Sequence, residues 1–183
     1  MKKIPFIVLD GGEGAGKTTL LQRLKNHFGN RLVATREPGG SPKAEEIRTY
    51  IFAHPELTAR EQFNKFWEAR QSHLEETIRP ALNAGIMVVC DRFDSSTFAY
   101  QIVEKLHPEL IEDFWKYRRE IIGETQPDLY VYLDVAVEVG LARKATQSDV
   151  QLNHFDAADI NDQKRRQEGF RDFFKHVPHQ VID

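Results

Sequence analysis

Cys90 is the chain's one cysteine. No internal disulfide can form, so a reducing, cytoplasmic setting is the expectation. No apolar run is long enough to span a bilayer, which argues against a membrane partner. Ile4-Pro-Phe-Ile-Val-Leu9 after Met1-Lys2-Lys3 has the outline of a signal peptide. It stops at Asp10 without a small-residue cleavage site and reads as a core strand. No basic run is present and the formal net charge is −3, which argues against a broad nucleic-acid surface. Nor does a repeat, a low-complexity tract or a Pro/Gly-rich linker interrupt the 183 residues, so one domain over 1–183 is expected. With 29% charged and 40% hydrophobic residues, that domain has the balance of a soluble globular protein.

Against these absences stands one full phosphate-loop pattern, G-x-x-x-x-G-K-[ST], from Gly11 to Thr18. A β-branched apolar run leads in, and a helical pattern (Leu20, Leu21, Leu24, Phe28) leads out. Gly11, Gly14 and Gly16 allow the backbone to fold back so that several N–H groups meet one anion, with a helix N-terminus behind them. Lys17 would reach the β- and γ-phosphates, and the Thr18 hydroxyl would ligate Mg²⁺.

Strand-like runs lie at 4–9, 31–34, 85–90, 129–133 and 180–182. Helical patterns lie between them, at about 17–28, 43–53, 59–82, 95–104, 108–122, 136–146 and 159–175. This alternation predicts an α/β fold, a three-layer, five-stranded parallel sheet flanked by helices. Ligands of such sheets gather at the carboxyl ends of the strands, and four of the five runs end in polar residues: Asp10, Thr35-Arg36-Glu37, Asp91-Arg92 and Asp134. Pro38-Gly39-Gly40 enforces a turn just after Arg36 and Glu37. Phe66 and Arg70, four apart on a helix, suit base recognition by stacking and hydrogen bonding; spacing alone favours a core ring beside a solvated charge. Asp91 suits a Mg²⁺ ion and Arg92 a phosphate, or the two form a plain ion pair. Cys90, inside an apolar run, reads as core filler.

Gly11–Thr19, Thr35–Gly40, Phe66 with Arg70, Asp91–Gln101 and Pro127–Val135 stand in the order and spacing of thymidylate kinases, and the chain resembles the bacterial type of that family. The resemblance is close over residues 3 to about 145 and looser beyond. It implies the P-loop nucleoside monophosphate kinase architecture, ATP as phosphate donor, Mg²⁺ as metal, dTMP as acceptor and a homodimer. Gly11, Gly12, Glu13, Gly14, Ala15, Gly16, Lys17, Thr18 and Thr19 would bind ATP, with Thr18 and Asp91 at the metal. Glu13 would face the deoxyribose 3′-hydroxyl, Phe66 would stack on thymine, and Arg70 would bond to its edge. Arg92 would hold the acceptor phosphate, Thr97 would lie at the base, and Tyr100 would crowd the 2′ position. Arg36, Glu37 and Pro38 would shape the acceptor pocket, with Ser96 and Gln101 completing the substrate set.

Phosphoryl transfer to an already charged phosphate needs alignment and cations rather than a strong base. The loop offers only Lys17, so a further cation must come from a mobile lid at about 143–160. Arg143 and Lys144 are its obvious candidates. The family's Asp-Arg-aromatic-Glu stands here as Asn153-His154-Phe155-Asp156, and of two later arginines Arg165 is kept while Gln167 replaces the other. Lys164 and Arg166 read as charges solvating a surface helix. No further helix follows the last strand before Asp183, which implies a more open adenine side and looser donor choice. The rival expectations are a kinase for another deoxynucleoside monophosphate or a nucleoside, and a nucleotide-binding module without turnover.

Overall fold

A computed structural model describes residues 4–145 and 159–183. Five strands, β1 (Phe6–Gly11), β2 (Leu32–Arg36), β3 (Met87–Asp91), β4 (Leu129–Leu133) and β5 (His179–Ile182), form one sheet in the order β2-β3-β1-β4-β5, every pair parallel. The helices are α1 (Lys17–Phe28), α2 (Pro42–Ala53), α3 (Ala59–His73), α4 (Arg79–Asn83), α5 (Asp94–Thr97), α6 (Ile111–Tyr117), α7 (Val137–Ala145) and α8 (Ile160–Phe174). The long pattern expected at 59–82 is α3 and α4 joined through a π-helical turn, Leu74–Ile78; α5 likewise runs on into π-helical Phe98–Glu104, and α6 into Arg118–Ile122.

Side chains alternate across the strands, and each face has its own core. Phe6, Val8, Val88, Cys90, Tyr130 and Tyr132 face a cluster with Phe63 and Trp67 of α3, Phe114 of α6, and Phe170, Phe173 and Phe174 of α8. Leu9, Leu32 and Val89 face the other way, against Leu20, Leu21, Leu24 and Phe28 of α1. Helix starts follow local chemistry. Ser41 caps α2 with Pro42 behind it, and Thr58 and Glu61 form a reciprocal capping box on α3. Asp159 accepts from the Asn161 and Asp162 amides at the start of α8. The apolar faces of α3 and α6 pack into this core, and Ile111 of α6 stays 38% exposed.

Asp94 is the tie that sets the site's far wall. Fully buried at the start of α5, it accepts from Arg118 Nε at 2.7 Å and from the Tyr130 hydroxyl at 2.5 Å, joining α5 to the end of α6 and to β4. Removing it leaves the Tyr130 phenol unpaired and the Arg118 charge without a carboxylate, held only by Gln126 Oε1 at 3.0 Å. Asp94→Ala is expected to lose about 3–5 kcal/mol in urea denaturation; a loss under about 1 kcal/mol contradicts this role.

Candidate active site

The carboxyl ends of β1, β2 and β3 are locked side by side. Beyond the strand pairing, Glu37 N donates to Asp91 O and Arg92 N to Leu9 O, each at 2.9 Å. Glu37, Arg92 and the loop after Gly11 therefore leave the sheet at one place.

The phosphate loop curls over the start of α1. Gly16, at φ 94°, is the residue before that helix and gives it no side-chain cap, so the first-turn amides are left for an anion. The Lys17 ammonium donates to Gly11 O at 2.9 Å and Gly12 O at 2.8 Å. Burial, then the nearby Arg92, lowers its pKa from 10.5 to about 8. Asp10, fully buried below the loop, accepts from the Ser95 hydroxyl and lies 3.1 Å from Ser96 Oγ. Its pKa is raised to about 7 by burial, which Ser95 and the positive charges of Arg92 and Lys17 only partly offset.

The loop also touches α7 with no room between them. A Cβ on Gly14 would sit 2.2 Å from Gly140 O, and one on Gly140 would sit 2.2 Å from Glu13 O. Bare glycines on both sides permit this approach, and Arg143, one turn on, donates Nη1 to Gly14 O at 3.4 Å.

Beside the loop opens a cleft of about 150 Å³. Its walls include Phe66, Arg70 and Ala69 of α3, Arg48 and Phe52 of α2, and Ser96, Thr97, Tyr100 and Gln101 of α5 and its extension. Glu13, Glu37, Pro38, Arg92 and Phe93 close it at the strand ends. Arg70 is no solvated charge. It is 2% exposed, pairs with Glu37 at 2.8 Å and donates to Thr97 Oγ1 at 3.0 Å. His73 holds the other Glu37 oxygen at 3.0 Å and Thr35 Oγ1 at 2.8 Å. Arg70 Nη1 is buried with no hydrogen-bond partner among the described residues.

Arg92 joins the cleft to the loop. It donates to Glu13 Oε1 at 2.9 Å and to Ser96 Oγ at 3.4 Å. Burial opposes its charge, but Tyr100, Glu13, Asp91 and Asp10 outweigh that and raise its pKa. Its backbone is left-handed (φ 70°), held by Leu9 O and by the Cys90 thiol, which donates to Arg92 O at 3.0 Å. That conformation costs about 1–3 kcal/mol for a side-chain-bearing residue, and it turns Arg92 from the sheet toward the loop. Asp91 Oδ1 is buried without a hydrogen-bond partner among the described residues, while Thr18 is exposed at the start of α1. No cluster of three or more His, Cys, Asp or Glu forms a metal cage among the described residues. One carboxylate and one hydroxyl suit an ion such as Mg²⁺ that takes most of its shell from phosphates and water.

The thymidylate kinase family model matches residues 9–182. The chain belongs to that family. Thymidylate kinases of Bacillus cereus and Bacillus anthracis are each 36% identical to it over 97% of this chain and 86% of their own length. The crystal structure of thymidylate kinase from Ehrlichia chaffeensis superposes with a TM-score of 0.77 at 28% identity, covering 97% of this chain and 86% of the other.

Three arginines of this thymidylate kinase family member are placed otherwise than the sequence suggests. Arg36 does not line the cleft: half exposed, its guanidinium turns outward to Glu45 Oε2 at 3.0 Å, because the side chain at the end of edge strand β2 faces α2. Arg165 donates Nε to Glu104 O and pairs with Asp162, lining neither this cleft nor a smaller one beside Gly12. Its neighbour Arg166, expected to be solvated, is 2% exposed, whereas Lys164 is exposed as expected. Gln167 donates to Val135 O at 3.0 Å. His154 and most of the expected lid lie outside the described residues. Sequence reasoning missed Arg48 and Phe52. The signal was there: they repeat the four-residue aromatic–guanidinium spacing of Phe66 and Arg70, with Arg48 4.5 Å from the Phe52 ring centre.

Gly140→Ala improves helix propensity yet forces α7 off the loop, so ATP affinity is expected to fall on the order of tenfold or more with the helix content kept. Calorimetry with circular dichroism checks this; wild-type affinity contradicts it. Lys17 sheds its proton through about pH 8, against 10.5 in an ordinary setting. ATP affinity is therefore full below that pH and falls above it, with proton uptake on binding at about pH 9 that Lys17→Ala abolishes. Buffer-independent binding heats at that pH contradict the assignment.

Proposed function

We propose that this protein transfers the γ-phosphoryl group of ATP to dTMP, giving dTDP and ADP. The observation that carries the reading is the Arg92–Glu13 contact at 2.9 Å, which makes the phosphate loop and the acceptor cleft one continuous site. In this reading the loop amides, Ala15 through Thr19 included, hold the ATP phosphates with Lys17. Phe66 stacks on thymine while Arg70, fixed by Glu37, turns its remaining Nη1 to the base edge beside Thr97 and Gln101. Arg92, Ser96 and Glu13 face the acceptor's phosphate and sugar, and the Tyr100 ring fills the 2′ side. Pro38 and Arg48 close the base end.

The acceptor oxygen already carries charge at neutral pH, so these residues act by alignment and by offsetting charge on the group in transit. Arg92 steadies the acceptor phosphate, Lys17 the β- and γ-phosphates, and Arg143, already beside Gly14, is the proposed cation over the γ-phosphate. Thr18 and Asp91 would hold Mg²⁺, whose positive charge would offset that of the phosphates. A cytoplasmic homodimer completes the proposal. A buried Cys90 thiol and the lack of a membrane-crossing helix among the described residues agree with that setting.

The test is ADP release with dTMP, dUMP, dCMP, dGMP, UMP and thymidine as acceptors. dTMP is expected to give the highest kcat/KM, and Arg70→Ala to lower it about 10²-fold by removing a buried, paired donor. A better acceptor than dTMP overturns the substrate assignment, and no ADP above a Lys17→Ala control reduces the protein to a binding module.

A further inference from the structure

Arg166 is a buried cation that the proposed chemistry does not use. Its Nε donates to Glu104 Oε2 at 2.6 Å, both residues are 2% exposed, and its guanidinium carbon lies 3.8 Å from the centre of the Tyr100 ring. Such a pair is expensive to desolvate and seldom improves stability over apolar packing, so its geometry is the informative feature.

That geometry converges on one ring. Tyr100 and Glu104 are four apart on the π-helical extension of α5, so the carboxylate that fixes Arg166 and the ring that Arg166 covers share one face. Gly169, one turn beyond Arg166, brings α8 against this stretch: a Cβ there would sit 2.8 Å from Ala99 Cα and 3.0 Å from Val103 Cβ. Phe170 meets the Tyr100 ring edge-on at 6.3 Å. From the cleft side, Arg92 lies 5.1 Å from the ring centre, and the Tyr100 hydroxyl donates to Glu13 at 3.2 Å. Burial pushes the Tyr100 pKa up to about 12, with Arg92 and Arg166 lowering it in part, so the phenol stays neutral and able to donate. The ring is braced from α8 and from the cleft.

We infer that Arg166, held by Glu104, is a positioning residue that fixes the Tyr100 ring against the cleft and so sets how strongly the site rejects a 2′-hydroxyl on the acceptor nucleotide. The inference rests on the reading that Tyr100 fills the 2′ side. A neutral side chain at 166 lets the ring relax toward α8 and opens room for ribose. The charge itself matters through stacking on the ring face, which a lysine reproduces only in part.

The test is equilibrium binding of dTMP and of ribothymidine 5′-monophosphate to the full-length protein, its Arg166→Met, Arg166→Lys and Tyr100→Ala variants, and the double variant Arg166→Met/Glu104→Gln. The double variant removes the carboxylate that a single change leaves to Lys105 alone, at 3.3 Å, and a thermal melt checks that each variant keeps the fold. Arg166→Met and the double variant are expected to lower the deoxy-over-ribo preference about tenfold, with Arg166→Lys in between. A purely structural role weakens both ligands together and leaves the ratio alone, and that result overturns the inference. Tyr100→Ala separates the two failures. If it lowers the ratio while the Arg166 variants do not, Tyr100 keeps its role and Arg166 loses its own; if it leaves the ratio unchanged, both fall.

Discussion

Pairing of buried charge at the carboxyl edge of the parallel sheet governs this structure. A site for anionic nucleotides needs cations in a half-dry cleft, and an unpaired guanidinium there would be costly. The chain answers with arginine–carboxylate pairs: Glu37 with Arg70, Glu13 with Arg92, Asp94 with Arg118 and Glu104 with Arg166. In each, the partners come from different elements or from successive turns, so the pairing also fixes the walls. Glu37 illustrates the economy of it, holding Arg70 with one oxygen and His73 with the other.

Such pairing leaves directed donors. Arg70, a residue of the cleft wall, is held through Nε and Nη2, and its buried Nη1 has no hydrogen-bond partner among the described residues. Arg92 is turned out of the sheet by a left-handed backbone and oriented by Glu13 and Ser96. Groups fixed beforehand need little reorganisation when charge moves, the form of catalysis open to a reaction with no proton to abstract. The bare-glycine contact of the phosphate loop with α7 extends the same logic to the donor side, because the helix carrying Arg143 is seated on the loop's own backbone.

Much of this was legible in the residues. The phosphate loop, the five parallel strands and the grouping of Glu37 and Arg92 at their ends follow from motif and alternation, since these are local signals, whereas Arg70 joined them only through the family resemblance. Three features were not local. Arg92's left-handed backbone depends on bonds from β1 and Cys90. Arg36 ends an edge strand, and only the placement of α2 turns it to Glu45. Arg166 stands in the run Lys164-Arg165-Arg166, which has the composition of a solvated surface. Yet it falls on the stripe Gln163, Arg166, Gly169, Phe170 and Phe173, all buried. Periodicity carried the information that charge composition obscured.

The central claim is that one pre-paired cleft receives the pyrimidine nucleotide and delivers its phosphate to the loop. A crystal structure with dTMP and a non-hydrolysable ATP analogue tests it most directly. The account requires thymine stacked on Phe66 with Arg70 Nη1 at its edge, and the 5′-phosphate beside Arg92 facing the γ-phosphate over Lys17. A thymidine nucleotide seated away from Phe66, or an Arg70 that abandons Glu37 to reach it, would contradict the account.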